Sequence, residues 1–96
     1  MLAGDYIELS SPPEVPLNRI PDREECMRYQ YIFIKQLCNI AYQHGLSRSQ
    51  TRNDFGGHKG MIPVADKRKA RVYGNRKYVL VSAVIQYLEE KGIMEW

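Results

Sequence analysis

The chain has 96 residues, 44% hydrophobic and 26% charged, with a formal net charge of +3. That length holds one domain and one modest core, the composition is ordinary for a globular protein, and no apolar run approaches the ~20 residues of a membrane-spanning helix. The first residues lack the basic-then-apolar pattern of a secretory signal, so a cytoplasmic protein without membrane association is expected.

Residues 1–21 read as an extended, proline-rich N-terminal arm, and residues 22–96 as the domain proper. In the arm, Tyr6-Ile7-Glu8-Leu9 is either a short strand or an extended piece packed on the core. Ser10-Ser11-Pro12-Pro13-Glu14-Val15-Pro16 is too rich in proline for a helix or inner strand. Val15, Leu17 and Ile20 are expected to tack the arm down.

Asp22 has the chemistry of a helix N-cap, and Glu25 completes a capping-box pattern. Behind it Met27, Tyr31, Ile34, Cys38 and Ala41 share one helical row, with Phe33, Leu37, Ile40 and His44 beside it. Tyr31-Ile32-Phe33-Ile34 is strand-like by itself, but the longer period predicts a single helix from about Asp22 to His44, stopped by Gly45. Cys26 and Cys38 would then lie about 18 Å apart along one helix axis, beyond the ~7 Å that a disulfide allows. They are expected to be reduced and at least half buried.

Ser47 is expected to cap a short second helix, again with a capping box through Gln50. Thr51 and Phe55 form its apolar side and Gly56-Gly57 end it, leaving Arg48, Ser49, Arg52 and Asn53 exposed. Met61-Ile62-Pro63-Val64 reads as extended and residues 65–70 as a basic loop. Arg71-Val72-Tyr73 and Arg76-Lys77-Tyr78-Val79 flank Gly74-Asn75, a Gly-first two-residue turn suited to a β-hairpin. Ser82 is expected to cap a final helix with Val84, Ile85 and Leu88 inward. Gly92 stops it, and Ile93, Met94 and Trp96 are expected to return to the core.

These elements predict an α+β fold: a winged helix-turn-helix with a long first helix, a short recognition helix, a two-stranded basic wing and a C-terminal helix. The segment from Ile40 to Arg52 has helix-turn-helix spacing. Ala41 lies on the inner face, Gly45 turns, Leu46 plugs the gap between the helices and Ser47 caps. In such motifs the start of the second helix enters the major groove. Arg48, Gln50 and Arg52 are the candidate base readers, since Arg and Gln suit bidentate contacts to guanine and adenine. Ser47, Ser49 and Asn53 complete the candidate recognition helix, where Ser47, Ser49 and free N–H groups suit a phosphate. Residues 1–30 hold three basic and six acidic residues, whereas 46–78 hold nine basic and two acidic. Such a concentration attracts a polyanion. Lys59, Lys67, Arg68, Lys69, Arg71, Arg76 and Lys77 are the candidate contacts of loop and wing to the DNA backbone.

The run Ala41–Gly45–Leu46–Ser47–Arg48–Ser49, then Lys59-Gly60-Met61-Ile62-Pro63-Val64, then Arg71-Val72-Tyr73-Gly74-Asn75-Arg76-Lys77-Tyr78 and a last helix, resembles the excisionase-like, MerR-related winged-helix DNA-binding domains of phage and mobile-element proteins. The resemblance spans roughly Ile34 to Lys91. It implies major-groove reading by the helix from Ser47 and backbone or minor-groove contact by the wing. It further implies a recombination directionality factor or small phage transcriptional regulator, acting architecturally on double-stranded DNA. Tandem self-association, or an integrase or other protein partner, would accompany such a role. The chain departs from the family in a longer first helix and a more polar, shorter second one.

The residues leave a second function open: a protein-interaction module, such as a phage-encoded inhibitor or adaptor, presenting the basic face to an acidic protein. No enzyme, cofactor or metal is expected. Cys26, Cys38, His44 and His58 match no compact zinc spacing. Gly56-Gly57-His58-Lys59-Gly60 lacks the Gly-Lys-Ser/Thr ending of a phosphate loop, and no Ser, His and acid stand out as a triad. Tyr73 and Tyr78 are placed where bases stack, while Tyr29, Tyr31, Tyr42 and Tyr87 read as partly buried helix residues.

Overall fold

A computed structural model of the chain describes residues 8–55 and 70–96. Over these residues the fold is α+β, in the order α1 (Arg23–Cys26), β1 (Tyr31–Phe33), α2 (Ile34–Gln43), α3 (Arg48–Asp54), β2 (Ala70–Tyr73), β3 (Arg76–Leu80) and α4 (Val81–Glu90). The three strands form one antiparallel sheet in the order β1-β3-β2.

The long first helix expected from the sequence is not formed. The Asp22 carboxylate accepts from the Glu25 N–H at 2.8 Å, as a cap should, but α1 lasts one turn. Arg28 and Tyr29 N–H groups donate back only three residues, to Glu25 and Cys26, which closes the helix. Tyr31–Phe33 then runs as a strand against β3, with Tyr31 opposite Leu80, Ile32 opposite Val79 and Phe33 opposite Tyr78. The Val81 N–H extends the ladder to Gln30 O at 2.9 Å. The physical reason is tertiary. An aromatic and β-branched run alternates half-buried, buried, half-buried, and β3 supplies a partner strand that no local window contains. The helical row therefore breaks, and Met27, expected on it, is 65% exposed. Cys26 and Cys38 consequently lie on different helices, not one; both are free thiols and buried.

β1 passes into α2 without a loop. Gln36 makes that junction and also holds the arm. Its Oε1 accepts from the Phe33 N–H at 2.8 Å, and its Nε2 donates to the carbonyls of Pro16 (2.6 Å) and Arg19 (2.9 Å). Gln36 is 3% exposed and every buried polar side-chain atom among the described residues has a partner. Of the arm's apolar residues, Val15 is buried, but Leu17 and Ile20 stand 41% and 37% exposed, contrary to expectation. Their segment is held instead by Gln36 and by a bidentate Arg19–Glu25 pair. Glu25 is thereby drawn away from closing its capping box. Arg19 and the Tyr29 hydroxyl (2.8 Å) hold its carboxyl below the usual range. The start of the described arm lies along β2, with the Leu9 N–H donating to Val72 O at 2.8 Å and a parallel bridge from Glu8 to Val72.

The β2–β3 hairpin turns at Gly74-Asn75, with Tyr73 opposite Arg76 and Gly74 at φ +61°. β3 leads straight into α4, whose N-cap is Leu80, not Ser82. With no connecting loop and the Val81 N–H already bonded to Gln30, Ser82 falls inside the first helical turn and is exposed. Val84, Tyr87 and Leu88 pack inward, and Ile85 lies half-buried against the core. After α4, Ile93 is buried, whereas Met94 is exposed and does not return to the core. The C-terminal segment is fastened to α1: the Arg23 N–H donates to Trp96 O (2.8 Å) and its guanidinium to Met94 O (2.6 Å). Among the described residues no helix is long and apolar enough to cross a membrane.

Candidate nucleic-acid interface

The α2–α3 corner is built from local chemistry. Gly45 adopts φ +88°, the left-handed conformation that a side chain resists. Leu46 N–H returns to Ala41 O at 2.9 Å, and Leu46 packs on the core. Ser47 Oγ accepts from the Gln50 N–H at 3.2 Å, capping α3. The reciprocal half of the expected capping box is absent, because the Gln50 side chain donates forward to Asp54 Oδ1 at 2.8 Å. Thr51 and Phe55 are buried, as their spacing requires. Phe55 meets Tyr87 of α4 edge-on at 5.1 Å, and the Tyr87 hydroxyl donates to Asp54 Oδ2 at 2.8 Å. α3 is thus pinned to α4 by one aromatic pair and one charged hydrogen bond.

With successive residues about 100° apart, the direction opposite Thr51 and Phe55 falls on Ser49 and Asn53. Both are exposed. The three candidate base readers take other directions. Arg48 folds back onto α2: its Nε–H donates to Asn39 Oδ1 at 3.0 Å, and its guanidinium carbon sits 3.7 Å from the centre of the Tyr42 ring. Gln50 is occupied by Asp54. Arg52 is half-buried, and its charge bears on Lys77 of the hairpin and on the Cys38 thiol of α2.

On the hairpin, Arg76 is exposed at the first position of β3, while Arg71 and Lys77 are half-buried. Burial, and then the nearby Arg52 guanidinium, push the Lys77 ammonium below its usual range. The charge of Arg52 on α3 is thus felt at Lys77 on β3, 25 positions later in the chain. Lys59, Lys67, Arg68 and Lys69 lie outside the described residues.

Two residues of this surface were not among the expected ones. Asn39 and Tyr42 lie three apart on the outward face of α2, and Tyr42 is 56% exposed, not partly buried. The available signal was their position off the buried row Leu37, Ile40 and Ala41. Tyr78, expected where a base stacks, is instead buried and tilted against Phe33 at 5.7 Å. Among the described residues no three His, Cys, Asp or Glu side chains stand where they would hold a metal. Burial pushes both cysteine thiols above their ordinary range, Cys26 to about 12, so neither is a reactive thiolate near neutrality. Comparison of the chain with protein-family models, with curated proteins and with solved structures returns no match.

Proposed function

We propose that this protein is a sequence-specific DNA-binding domain of winged helix-turn-helix type. In this function α2 and α3 form the helix-turn-helix and the β2–β3 hairpin is the wing. The observation that carries it is the tight α2–α3 corner, in which Gly45 turns at φ +88°, Ser47 caps α3, and Ser49 and Asn53 stand exposed on its outward side. Two further features support it. The order helix–strand–helix–helix–strand–strand–helix, in which the α2–α3 corner is followed in the chain by the β2–β3 hairpin, supports this reading. In addition, the one acid of α3, Asp54, is turned inward onto Tyr87 and Gln50, which leaves the outward side of α3 without a carboxylate.

Within that class we favour an excisionase-like recombination directionality factor or small phage transcriptional regulator, acting architecturally in the cytoplasm. A domain this small makes few contacts, so several copies on adjacent sites, or an integrase-like partner, would supply useful affinity. Titration of a labelled duplex at several salt concentrations tests the function. Binding should weaken steeply with salt, with a slope of about −0.9 for each phosphate neutralised. Arg52→Ala and Arg76→Ala should each weaken it. Absence of duplex binding near 0.1 M salt, with the chain folded, refutes it. Salt-sensitive capture of an acidic protein without duplex binding would favour an interaction module.

A further inference from the structure

We infer that Asn39, Tyr42 and Arg48 form a clamp for a DNA phosphodiester, so that Arg48 holds the backbone and does not read a base. This rests on the DNA-binding function proposed above and deepens it. Arg48 is the first residue of α3 and points toward α2, away from the outward strip of Ser49 and Asn53. Its guanidinium is fixed on two sides. Its central carbon lies over the Tyr42 ring, 3.7 Å from the ring centre, and the Nε–H is bonded to Asn39 Oδ1 at 3.0 Å. The Nη1 and Nη2 groups make no hydrogen bond or ion pair among the described residues. What remains is a planar fork with its charge intact, held in one orientation on an exposed surface.

A fork of that geometry matches two oxygens of a phosphate or carboxylate. Holding it in place before binding removes part of the rotamer entropy that an unrestrained arginine would lose on contact. The choice of phosphate over base edge follows from direction. In a helix-turn-helix the first helix crosses the backbone while the outward side of the second faces the groove, and Arg48 is fastened to the first. Base discrimination then falls to Ser49 and Asn53, whose side chains occupy the outward strip.

Fluorescence anisotropy with a random-sequence duplex across salt concentrations, together with selection from a duplex library, separates the roles. Arg48→Ala should weaken binding to every duplex by about tenfold, the scale of one charged hydrogen-bonded contact, and flatten the log–log salt slope by about 0.9. Tyr42→Leu and Asn39→Ala leave the charge in place. They should weaken binding several-fold with little change in slope, and Tyr42→Phe should recover most of the Tyr42→Leu loss. Asn53→Ala should leave the slope alone and alter the selected sequence. Thermal melts confirm that each variant folds. The clamp is overturned if wild type binds duplex but Arg48→Ala keeps the slope and changes preference at one base position. It is also overturned if Tyr42→Leu binds like wild type. If folded wild type binds no duplex near 0.1 M salt, the DNA-binding function fails and the clamp with it. If polyglutamate binds in an Arg48-dependent way and duplex does not, the fork is a carboxylate receptor and the phosphate assignment is wrong.

Discussion

Replacing Phe55 with alanine should unseat α3 from the core. α3 buries only Thr51 along its length and is followed at once by Phe55, whose ring is buried and packs edge-on against Tyr87 at 5.1 Å. Truncating a buried phenylalanine costs ~3–5 kcal/mol, from lost transfer energy and the cavity left behind. Of this, ~0.5–1.5 kcal/mol belongs to the aromatic pairing. A domain of this size has about 5–14 kcal/mol of total stability, so the change removes a large part of it. With a urea m-value of about 2 kcal/mol per M, a loss near 4 kcal/mol lowers the unfolding midpoint by about 2 M. Urea titration followed by circular dichroism and by fluorescence of the single tryptophan, Trp96, measures it. Trp96 is fastened to α1, so coincidence of the two probes reports that α3 and the α1 region unfold together. Phe55→Leu, which keeps most of the volume but not the ring pair, should lose only about 1 kcal/mol. A midpoint shift below about 0.5 M for Phe55→Ala, with the m-value unchanged, would refute the claim that α3 is anchored through this ring.

Gln36→Ala strips three hydrogen bonds at once and should destabilise by about 2–3 kcal/mol; limited proteolysis should then cut residues 8–21 much faster, and unchanged protection would mean the arm is held elsewhere. Gly45→Ala meets no atom within 4 Å, so its cost is that of holding φ +88° alone, about 1–2 kcal/mol, seen as a melting temperature lower by ~4–8 °C per kcal/mol. The Cys26 thiol, raised from 9.0 to about 12 mainly by burial, stays neutral in the fold while the unfolded chain ionises. Its contribution is fully present below pH 9 and is lost as pH climbs toward 12. Cys38 and Tyr29, also raised, act in the same direction, and Lys77, lowered, acts against them. The stability difference between wild type and Cys26→Ala, measured by urea midpoints from pH 8 to 11, should therefore narrow above pH 9; a pH-independent difference would show that Cys26 titrates normally.

The proposed recognition surface was only partly legible in the sequence. That Arg48 and Arg52 lie near the start of a short capped helix follows from Ser47 and Gly45. Which way they point does not. Arg48 is turned by Asn39 and Tyr42, residues of another helix whose closeness depends on the corner geometry. Gln50 is taken by an acid one turn on, at a spacing visible in the sequence, yet a capping-box partner was equally in reach. Gln36 gave no signal, because its three bonds join segments up to 20 residues apart.

By itself the sequence determined what depends on a few neighbouring residues. The Asp22 and Ser47 caps, the stop at Gly45, the Gly74-Asn75 turn and the stop at Gly92 are each a backbone conformation or hydrogen bond closed within about four residues. Tertiary structure alone decided the fate of residues 27–33. There the helical period and the strand-like run Tyr31-Ile32-Phe33 compete locally. The tie is broken by β3, some 45 residues away, which pairs the backbone of Tyr31–Phe33 and buries Ile32 against Val79. Local propensity differences amount to fractions of a kcal/mol per residue, so a partner strand and a core face outweigh them.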